Sequence, residues 1–489
     1  MISFNGIGTT IRTPGTYVEV DNSMALQGLS PWYQRALILG CKSSSGTGTA
    51  NELTFLASAS KAEEIGGAGS DLAIMAKAFK SVNPYIELWG VPLTAAGTTS
   101  AATIVATGPA TAAGTVHLFV AGRYIPVAVA SGDTATNVGD AIKAAIDLVT
   151  DIPIVTTTSA TGTVTLNAVC KSLLANELDV RVNYYKNQEL PAGVGITCNA
   201  FASGDTDPVL TTAIANLGDE RFDYIVMPYA TTPAIVTAIE NELSDRFGPD
   251  KQIEGLCYTA YKDSFSNLLT FGATNNSPHV AYMAFDDSPT TVQEWAAYYA
   301  ATASYSLNVS PARPLQTLVM KAIMPPLESS LARLTRAERN QLLWKGLGTW
   351  VVNANGQIQI ERAITSYQEN ALSLPDASYL DVNTMYQLMY IRYQFRTRMT
   401  NRFPRHMLAD DGTQAGPGSA VVTPKVIRSE IIALFEDLAD AYVVENMDEF
   451  KTGLIVERND SDPNRVDCLL PADLVNQFRV LAALLQFIL

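Results

Sequence analysis

Three histidines, His117, His279 and His406, are the only imidazoles in the chain, and each could formally act as a general base near neutral pH. His117 and His279 lie in or beside apolar strand runs, where a buried structural ring is the expected reading. None of the patterns GxSxG, HExxH, GxxxxGKS/T or GxGxxG occurs, so no local context nominates a nucleophile, a zinc pair, a P-loop or a dinucleotide turn. Asp410-Asp411-Gly412 and Asn459-Asp460-Ser461-Asp462 are oxygen-rich enough to hold a divalent cation, but neither follows the calcium-loop spacing and both read as polar turns. Gly66-Gly67-Ala68-Gly69 could cradle a phosphate ahead of a helix starting at Ser70, yet no lysine follows at the P-loop position, so a flexible turn is expected. The five cysteines, Cys41, Cys170, Cys198, Cys257 and Cys468, are scattered without a CxxC pair, which indicates a reducing compartment rather than a disulfide framework or zinc site. Neither a catalytic residue, nor a cofactor, nor a metal ligand is expected.

Association is better supported than catalysis. Lys+Arg 33 against Asp+Glu 48 gives a net charge of −15, a field that repels nucleic acid and anionic membrane. Charged residues are 17% of the chain, against roughly 25% in an average soluble protein, so much of the surface is expected to be covered by partners. Met1 to Gly15 has no basic start followed by an apolar core. The longest apolar run, Val480 to Leu489, falls well short of the roughly 20 residues a spanning helix needs, so neither standard export nor membrane insertion is expected.

Two charge blocks oppose each other. No acidic residue intervenes between Asp381 and Asp410, and Arg392, Arg396, Arg398, Arg402 and Arg405 cluster there among Tyr390, Tyr393, Phe395 and Phe403. Val382, Met385, Leu388, Ile391, Phe395, Met399 and Phe403 recur at spacings of three and four, so one helical stripe is expected to be buried with several arginines facing elsewhere. Glu430, Glu436, Asp437, Asp440, Glu445, Asp448 and Glu449 follow with no basic residue between Arg428 and Lys451. Pairing of the two blocks, within or between copies of the chain, is one reading, and solvated helix faces are the other; nucleic acid fits the net charge poorly. Arg392, Arg396, Arg402, Glu436 and Asp440 are the candidate interface charges. Both ends add apolar strand-like segments, Tyr17, Val18, Glu19 and Val20 at one and Leu484, Leu485, Phe487 and Ile488 at the other. Such ends aggregate unless a neighbouring copy pairs with them.

The elements that must position these residues suggest an α/β and α+β multidomain chain. Residues 1–22 read as an arm, and 23–91 as the first part of an α/β core with a strand at Arg35 to Gly40, a helix capped by Ser70 and a strand at Tyr85 to Val91. Gly90 to Ser131 contains a single charged residue, Arg123, and residues 92–203, with four β-type runs, read as a β-rich inserted domain expected to project from the outer surface, because an insertion that an assembling core tolerates must avoid the subunit contacts. Residues 204–345 resume the core, with strands at Tyr224 to Pro228, Gly255 to Thr259 and His279 to Ala284 and helices at Thr232-Pro233 to about Arg246 and Thr290 to Ser306. Residues 346–480, with an Asn355-Gly356 hairpin, a helix from Asp381 to Arg402 and another from Thr423-Pro424 through Asn446, read as α+β; a capping box at Thr335 to Glu338 precedes them. Residues 481–489 form a terminal arm, expected to be a strand or a short helix.

ITSYQEN (364–370), SYLDVNTMYQLMYIR (378–392), FPRHMLADDGT (403–413), VVTPKVIRSEIIALF (421–435) and LIVERNDSDPNRVDCLLPADLVNQF (454–478) resemble the contractile tail sheath proteins of Mu-like bacteriophages, and RTPGTYVEVDNS (12–23) resembles that family's opening. The resemblance implies a layered, subtilisin-like core and a homo-oligomer of stacked six-fold rings around a tail tube protein, with baseplate and tail terminator proteins at its ends. It implies assembly in the host bacterial cytoplasm into a virion tail, strand pairing of the arms between subunits, and contraction that drives the tube through the host envelope. Neither enzyme activity, nucleic acid binding nor membrane insertion is expected. The alternatives are an intracellular hydrolase with a subtilisin-like core, in which no Asp, His and Ser triad can be assigned, and another self-assembling virion component such as a tube or baseplate protein.

Overall fold

The computed structural model describes residues 12–18, 28–413 and 420–488, so Glu19, Val20 and Leu489 lie outside it. The chain divides into two units: Gln34–Val309 with Leu315–Val382, and Met1–Tyr33 with Ser310–Pro314 and Asn383–Leu489.

The larger unit begins β1 (Arg35–Cys41), β2 (Thr54–Phe55), α1 (Ala59–Gly66), α2 (Asp71–Val82) and β3 (Glu87–Leu93). It continues β4 (Ala101–Thr107), β5 (Gly114–Val120), β6 (Arg123–Val129), α3 (Ala135–Asp147), β7 (Ile154–Ala160), β8 (Thr163–Ala168), β9 (Val180–Val182) and β10 (Gly195–Cys198). It closes with α4 (Thr211–Leu217), β11 (Tyr224–Val226), α5 (Pro233–Phe247), β12 (Leu256–Lys262), α6 (Phe265–Ala273), β13 (Val280–Phe285), α7 (Val292–Leu307), α8 (Arg336–Leu343), β14 (Leu347–Val352) and β15 (Ile358–Arg362).

One eight-stranded sheet, ordered β15-β14-β13-β12-β11-β1-β3-β2, organises this unit. Its inner strands pair in parallel and only the edge strands β2 and β15 run antiparallel. A strand covered on both faces has no polar side to show, and accordingly Ala36 to Cys41 are all buried. Helix α2 opens at Ser70, whose Oγ accepts from the Ala73 amide at 3.2 Å. It packs on α7, a helix buried on every side apart from Tyr305. Helix α5 begins at Pro233 as expected, but Thr232 does not cap it, because its hydroxyl donates instead to Asp207 at 2.6 Å. Thr335 and Glu338 close a reciprocal capping box at α8, and Asn355-Gly356 turns β14 into β15.

Residues between β3 and α4 build two antiparallel sheets, β10-β4-β8-β7 and β6-β5-β9, with α3 packed on them. They have their own apolar core, in which Val116, Leu118, Ile142, Val164 and Leu166 are fully enclosed. Their entry and exit are clasped: the Thr98 amide and hydroxyl both donate to the Asp205 carboxylate, at 2.9 and 2.5 Å. Ion pairs fasten them to the large sheet's helices and loops, namely Arg123 with Glu294 at 2.7 Å, Asp151 with Lys77 at 2.6 Å and Arg181 with Asp287 at 3.1 Å.

The smaller unit contains α9 (Val382–Arg402, from its second residue), β16 (Met407–Leu408), β17 (Val421–Val422), α10 (Pro424–Asp440), β18 (Val444–Glu445), α11 (Met447–Gly453), β19 (Ile455–Arg458), β20 (Val466–Leu469) and β21 (Asp473–Leu474). Ile391, Ile431, Leu434, Phe435, Leu438, Val443 and Phe450 form its core, with the Phe435 and Phe450 rings stacked 4.0 Å apart. Three expectations are corrected here. The helix from Pro424 ends at Asp440 rather than Asn446, because Tyr442 turns left-handed at φ 56° and lets the Val443 amide reach back to Leu438, which buries Val443 and Val444. The α9 stripe is narrower than its spacing suggests: Leu388, Phe395, Met399 and Phe403 are only half-buried, while Asn383, Gln387 and Gln394 are enclosed. Finally, Tyr17 and Val18 are not in a strand, and residues 481–488 adopt neither strand nor helix, because among the described residues no strand of the chain pairs with either segment.

Candidate subunit interface

In an open sheet with this order the chain reverses direction at β1, and ligands usually enter the crevice at the carboxyl ends of the strands there. That place is filled by the subunit's own side chains. The Cys41 amide donates to the Tyr229 hydroxyl at 2.7 Å, and that hydroxyl donates to Asp71 Oδ2 at 3.1 Å. Gln293 donates to Asp71 Oδ1 at 2.9 Å, and the Cys170 thiol reaches the Cys41 carbonyl at 3.6 Å. Burial pushes the Asp71 carboxyl up to about 6, opposed by the bonds from Gln293 and Tyr229. Contact with Cys41 and burial hold the Cys170 thiol far above its usual range, which removes the thiolate a nucleophile needs.

The three histidines sit in packing and hydrogen-bond contacts. Burial lowers His279 to about 4, its ring packs 5.2 Å from Phe247, and its Nδ1 has no hydrogen-bond partner where a triad would place a carboxylate. His117 Nδ1 bonds the Tyr124 hydroxyl at 2.7 Å, and His406 packs against Phe403. The oxygen-rich runs are turns and clasps: Asn459 Oδ1 accepts from the Ser461 and Asp462 amides at the β19–β20 turn, while Asp410 pairs with Arg458 at 2.7 Å. Gly67 and Gly69 adopt φ 85° and 72°, and a side chain at Gly67 would collide with Ser43 Oγ at 2.0 Å, so the glycine run is a packed turn.

The charge blocks meet in part within the smaller unit. Arg398 bonds Glu430 at 2.6 Å and Asp437 at 2.9 Å, and Arg402 lies 3.5 Å from Glu430. Glu436 pairs with Lys451 at 2.7 Å. Arg396, Arg402, Glu436 and Asp440 are exposed and Arg392 is half-buried. At 100° per residue Arg392 and Arg396 fall about 120° and 160° around α9 from Arg398, so they point away from the Glu430 contact. At the terminus, Phe478, Val480, Leu481, Leu484, Leu485, Phe487 and Ile488 are each at least 70% exposed, and Tyr17 and Val18 are 45% and 81% exposed. The hairpin β19–β20 is a two-stranded sheet with both outer edges unpaired among the described residues.

Residues 204–366 match the family described as phage tail sheath protein central domain, and residues 375–488 match the phage tail sheath C-terminal domain. Over an alignment of 490 positions that covers 100% of both chains, the sequence is 41% identical to the Mu-like prophage FluMu tail sheath protein of Haemophilus influenzae. The chain belongs to the phage tail sheath family. It is thus a virion structural protein of a contractile phage tail, with a mixed α/β, multidomain fold. The sheath tail protein of Desulfitobacterium hafniense gives a TM-score of 0.49 at 13% identity over 95% of this chain and 97% of that one. The sheath tail protein of Listeria innocua gives 0.49 at 13% over 92% and 94%.

Sequence reasoning passed over two features of this sheath subunit. Arg398 bonds two acidic residues of α10, Glu430 and Asp437, yet its sequence context does not single it out from its neighbours. Asn383, Gln387 and Gln394, each no more than 1% exposed, form a row along α9 that spends its amides on other segments' backbones. Their spacing of four and seven, which keeps them on one helical face, is the signal that could have exposed them.

Proposed function

We propose that this sheath subunit polymerises in the host cytoplasm as stacked six-fold rings around a tail tube, bounded by baseplate and terminator proteins, and shortens to drive the tube through the host envelope. The observation that carries the reading is the exposed apolar segment from Val480 to Ile488, less its polar Gln486, with which no strand pairs among the described residues, while among those residues the hairpin β19–β20 has two open edges. Strand addition from a neighbouring copy satisfies both, with backbone bonds giving affinity and alternate side chains giving register. Leu484, Leu485, Phe487 and Ile488 would pair at one end, and Tyr17, Val18, Glu19 and Val20 at the other.

A sheath stores free energy in an extended arrangement and releases it when domains exchange partners while the arms hold. Arg392, Arg396 and Arg402 on one side and Glu436 and Asp440 on the other are the charges proposed to meet between copies, with Arg402 already partly engaged by Glu430. The role is structural rather than catalytic, which the filled crevice beside β1 and the neutral, buried His279 support. A subtilisin-like description of the core draws support from the parallel strands and the reversal at β1. Negative-stain microscopy of the purified chain tests the proposal: hollow, wide, striated cylinders are expected, and narrow tubes, plates or permanent monomers would overturn it.

A further inference from the structure

Helix α9 does more than carry charge. Its residues 383, 387 and 394 lie within about 40° of one line, and their amides leave the helix to bind main chain elsewhere in the smaller unit. Gln394 makes a two-way bond to Ser30: Nε2 donates to the Ser30 carbonyl at 2.7 Å, and Oε1 accepts the Ser30 amide at 2.9 Å. This copies the donor and acceptor pair of a strand partner. Tyr393 donates to the Pro31 carbonyl at 2.8 Å, and the Trp32 ring lies 5.2 Å from Tyr390 and 6.3 Å from Tyr393. Two turns earlier on the same face, Gln387 donates to the carbonyls of Val443 and Val475 at 3.1 and 3.0 Å and accepts from Gln477 at 3.2 Å. Asn383 donates to the carbonyls of Pro311 and Arg313, and its own carbonyl lies 3.5 Å from Arg479.

Residues 28–33 and 475–479 are the stretches from which the two terminal segments depart. We infer that α9 is the bracket that fixes where both arms leave the subunit, with Gln394 and Gln387 as the positioning residues. This rests on the reading of the terminal segments as inter-subunit tethers. The two anchors are seven residues apart, about 10 Å along one helix, so both arms start from one rigid body. A tether whose origin wanders loses effective concentration at its target, whereas a fixed origin presents the pairing strand at constant reach. Because the bonds go to backbone, the arms can carry any side chains their partners require.

The test uses the full-length chain with Gln387→Met and Gln394→Met, singly and together, since methionine keeps length and volume but offers no amide. Amide hydrogen exchange is followed at residues 28–33 and 475–479 in the unassembled subunit, with thermal midpoint and sheath assembly measured alongside. Gln394→Met is expected to speed exchange of the Ser30 amide roughly tenfold, and Gln387→Met to do the same near Val475, with the midpoint lowered by no more than a few degrees. The double variant is expected to give short or irregular sheaths. Unchanged exchange at both sites overturns the inference. So do normal sheaths from the double variant under conditions where a chain lacking Leu481 to Leu489 cannot assemble. If that truncated chain assembles normally, the tether reading fails, and the exchange data still decide whether α9 holds the roots. Should a methionine variant unfold, Trp32→Ala and Gln477→Ala loosen the same roots from the arm side and face the same two criteria.

Discussion

Arg398 on α9 donates from Nε to Glu430 Oε1 on α10 at 2.6 Å, and its Nη1 reaches Asp437 at 2.9 Å. The side chains of Arg398 and Glu430 are only 18% and 16% exposed, so the pair is partly withdrawn from water, and deleting one partner strands the other. Arg398→Ala should destabilise the smaller unit by about 1 to 3 kcal/mol. Glu430→Ala should add less in the double variant than it costs alone. Denaturant unfolding of the four members of the cycle measures this, and full additivity would show that the two side chains do not interact.

The arginines on the far side of α9 behave differently. Arg396→Glu should leave the unfolding midpoint within a degree or two, because Arg396 is exposed and exposed pairs are worth roughly 0.2 to 1 kcal/mol. It should nevertheless weaken polymerisation, since like charges then repeat at every contact. Glu436→Lys with Asp440→Lys should restore assembly. Raising NaCl from about 0.1 M to 1 M should weaken wild-type assembly in the same way, as the Debye length falls from about 10 Å to about 3 Å. Assembly of the charge-reversed chain that matches wild type at every salt concentration would remove these residues from the interface.

The inserted sheets should be removable. Thr98 and Asp205 are already clasped, so a short Gly/Ser linker replacing residues 99–204 spans a gap the subunit itself has closed. Glu294 would lose Arg123, and the shortened chain should therefore carry Glu294→Gln. Circular dichroism should show a folded core, and microscopy should show sheaths of reduced outer diameter. A folded core that no longer assembles would place the inserted sheets within the contacts that hold the sheath together.

Asp71 sets a pH dependence whose sign is opposite to that of an ordinary carboxylate. Burial raises it from 3.8 to about 6, so the folded subunit binds the proton more tightly than the unfolded chain does. Its contribution is present below about pH 4 and is lost as the pH rises through about 6, a difference on the order of 3 kcal/mol. His279, lowered by burial from 6.5 to about 4, acts the other way and loses stability as the pH falls from 6.5 toward 4. Comparison of Asp71→Asn with wild type isolates the first effect. The variant should unfold later than wild type at pH 7.5 and together with it at pH 4, and an equal midpoint difference at both would show that Asp71 does not titrate in this range.

Local signals are the legible ones in this chain. Strand β1 is visible because a strand covered on both faces must be apolar throughout, and α8 because a capping box is complete within four residues. The end of α10 is not visible, since nothing at Tyr442 marks a left-handed residue; the turn is dictated by burying Val443 and Val444. The charge blocks can be read as blocks, but that Arg398 rather than Arg396 meets Glu430 depends on which side of α9 faces α10. Gln387 and Gln394 look like ordinary polar helix positions because their partners, Val475 and Ser30, are 88 and 364 residues away. The apolar terminus is legible as an apolar run, whereas the sequence does not show that among the described residues no strand of the chain pairs with residues 481–488.

The central claim, that the terminal segment joins one sheath subunit to the next, is tested most directly by deleting Leu481 to Leu489 and measuring sedimentation velocity, circular dichroism and electron micrographs on the same preparation. The account predicts a soluble, folded species that sediments as a monomer under conditions where the full chain forms long hollow sheaths, because Leu481, Leu484, Leu485, Phe487 and Ile488 are all exposed in the isolated subunit and contribute little to its core. Normal sheaths from the truncated chain, or its unfolding, would contradict the account.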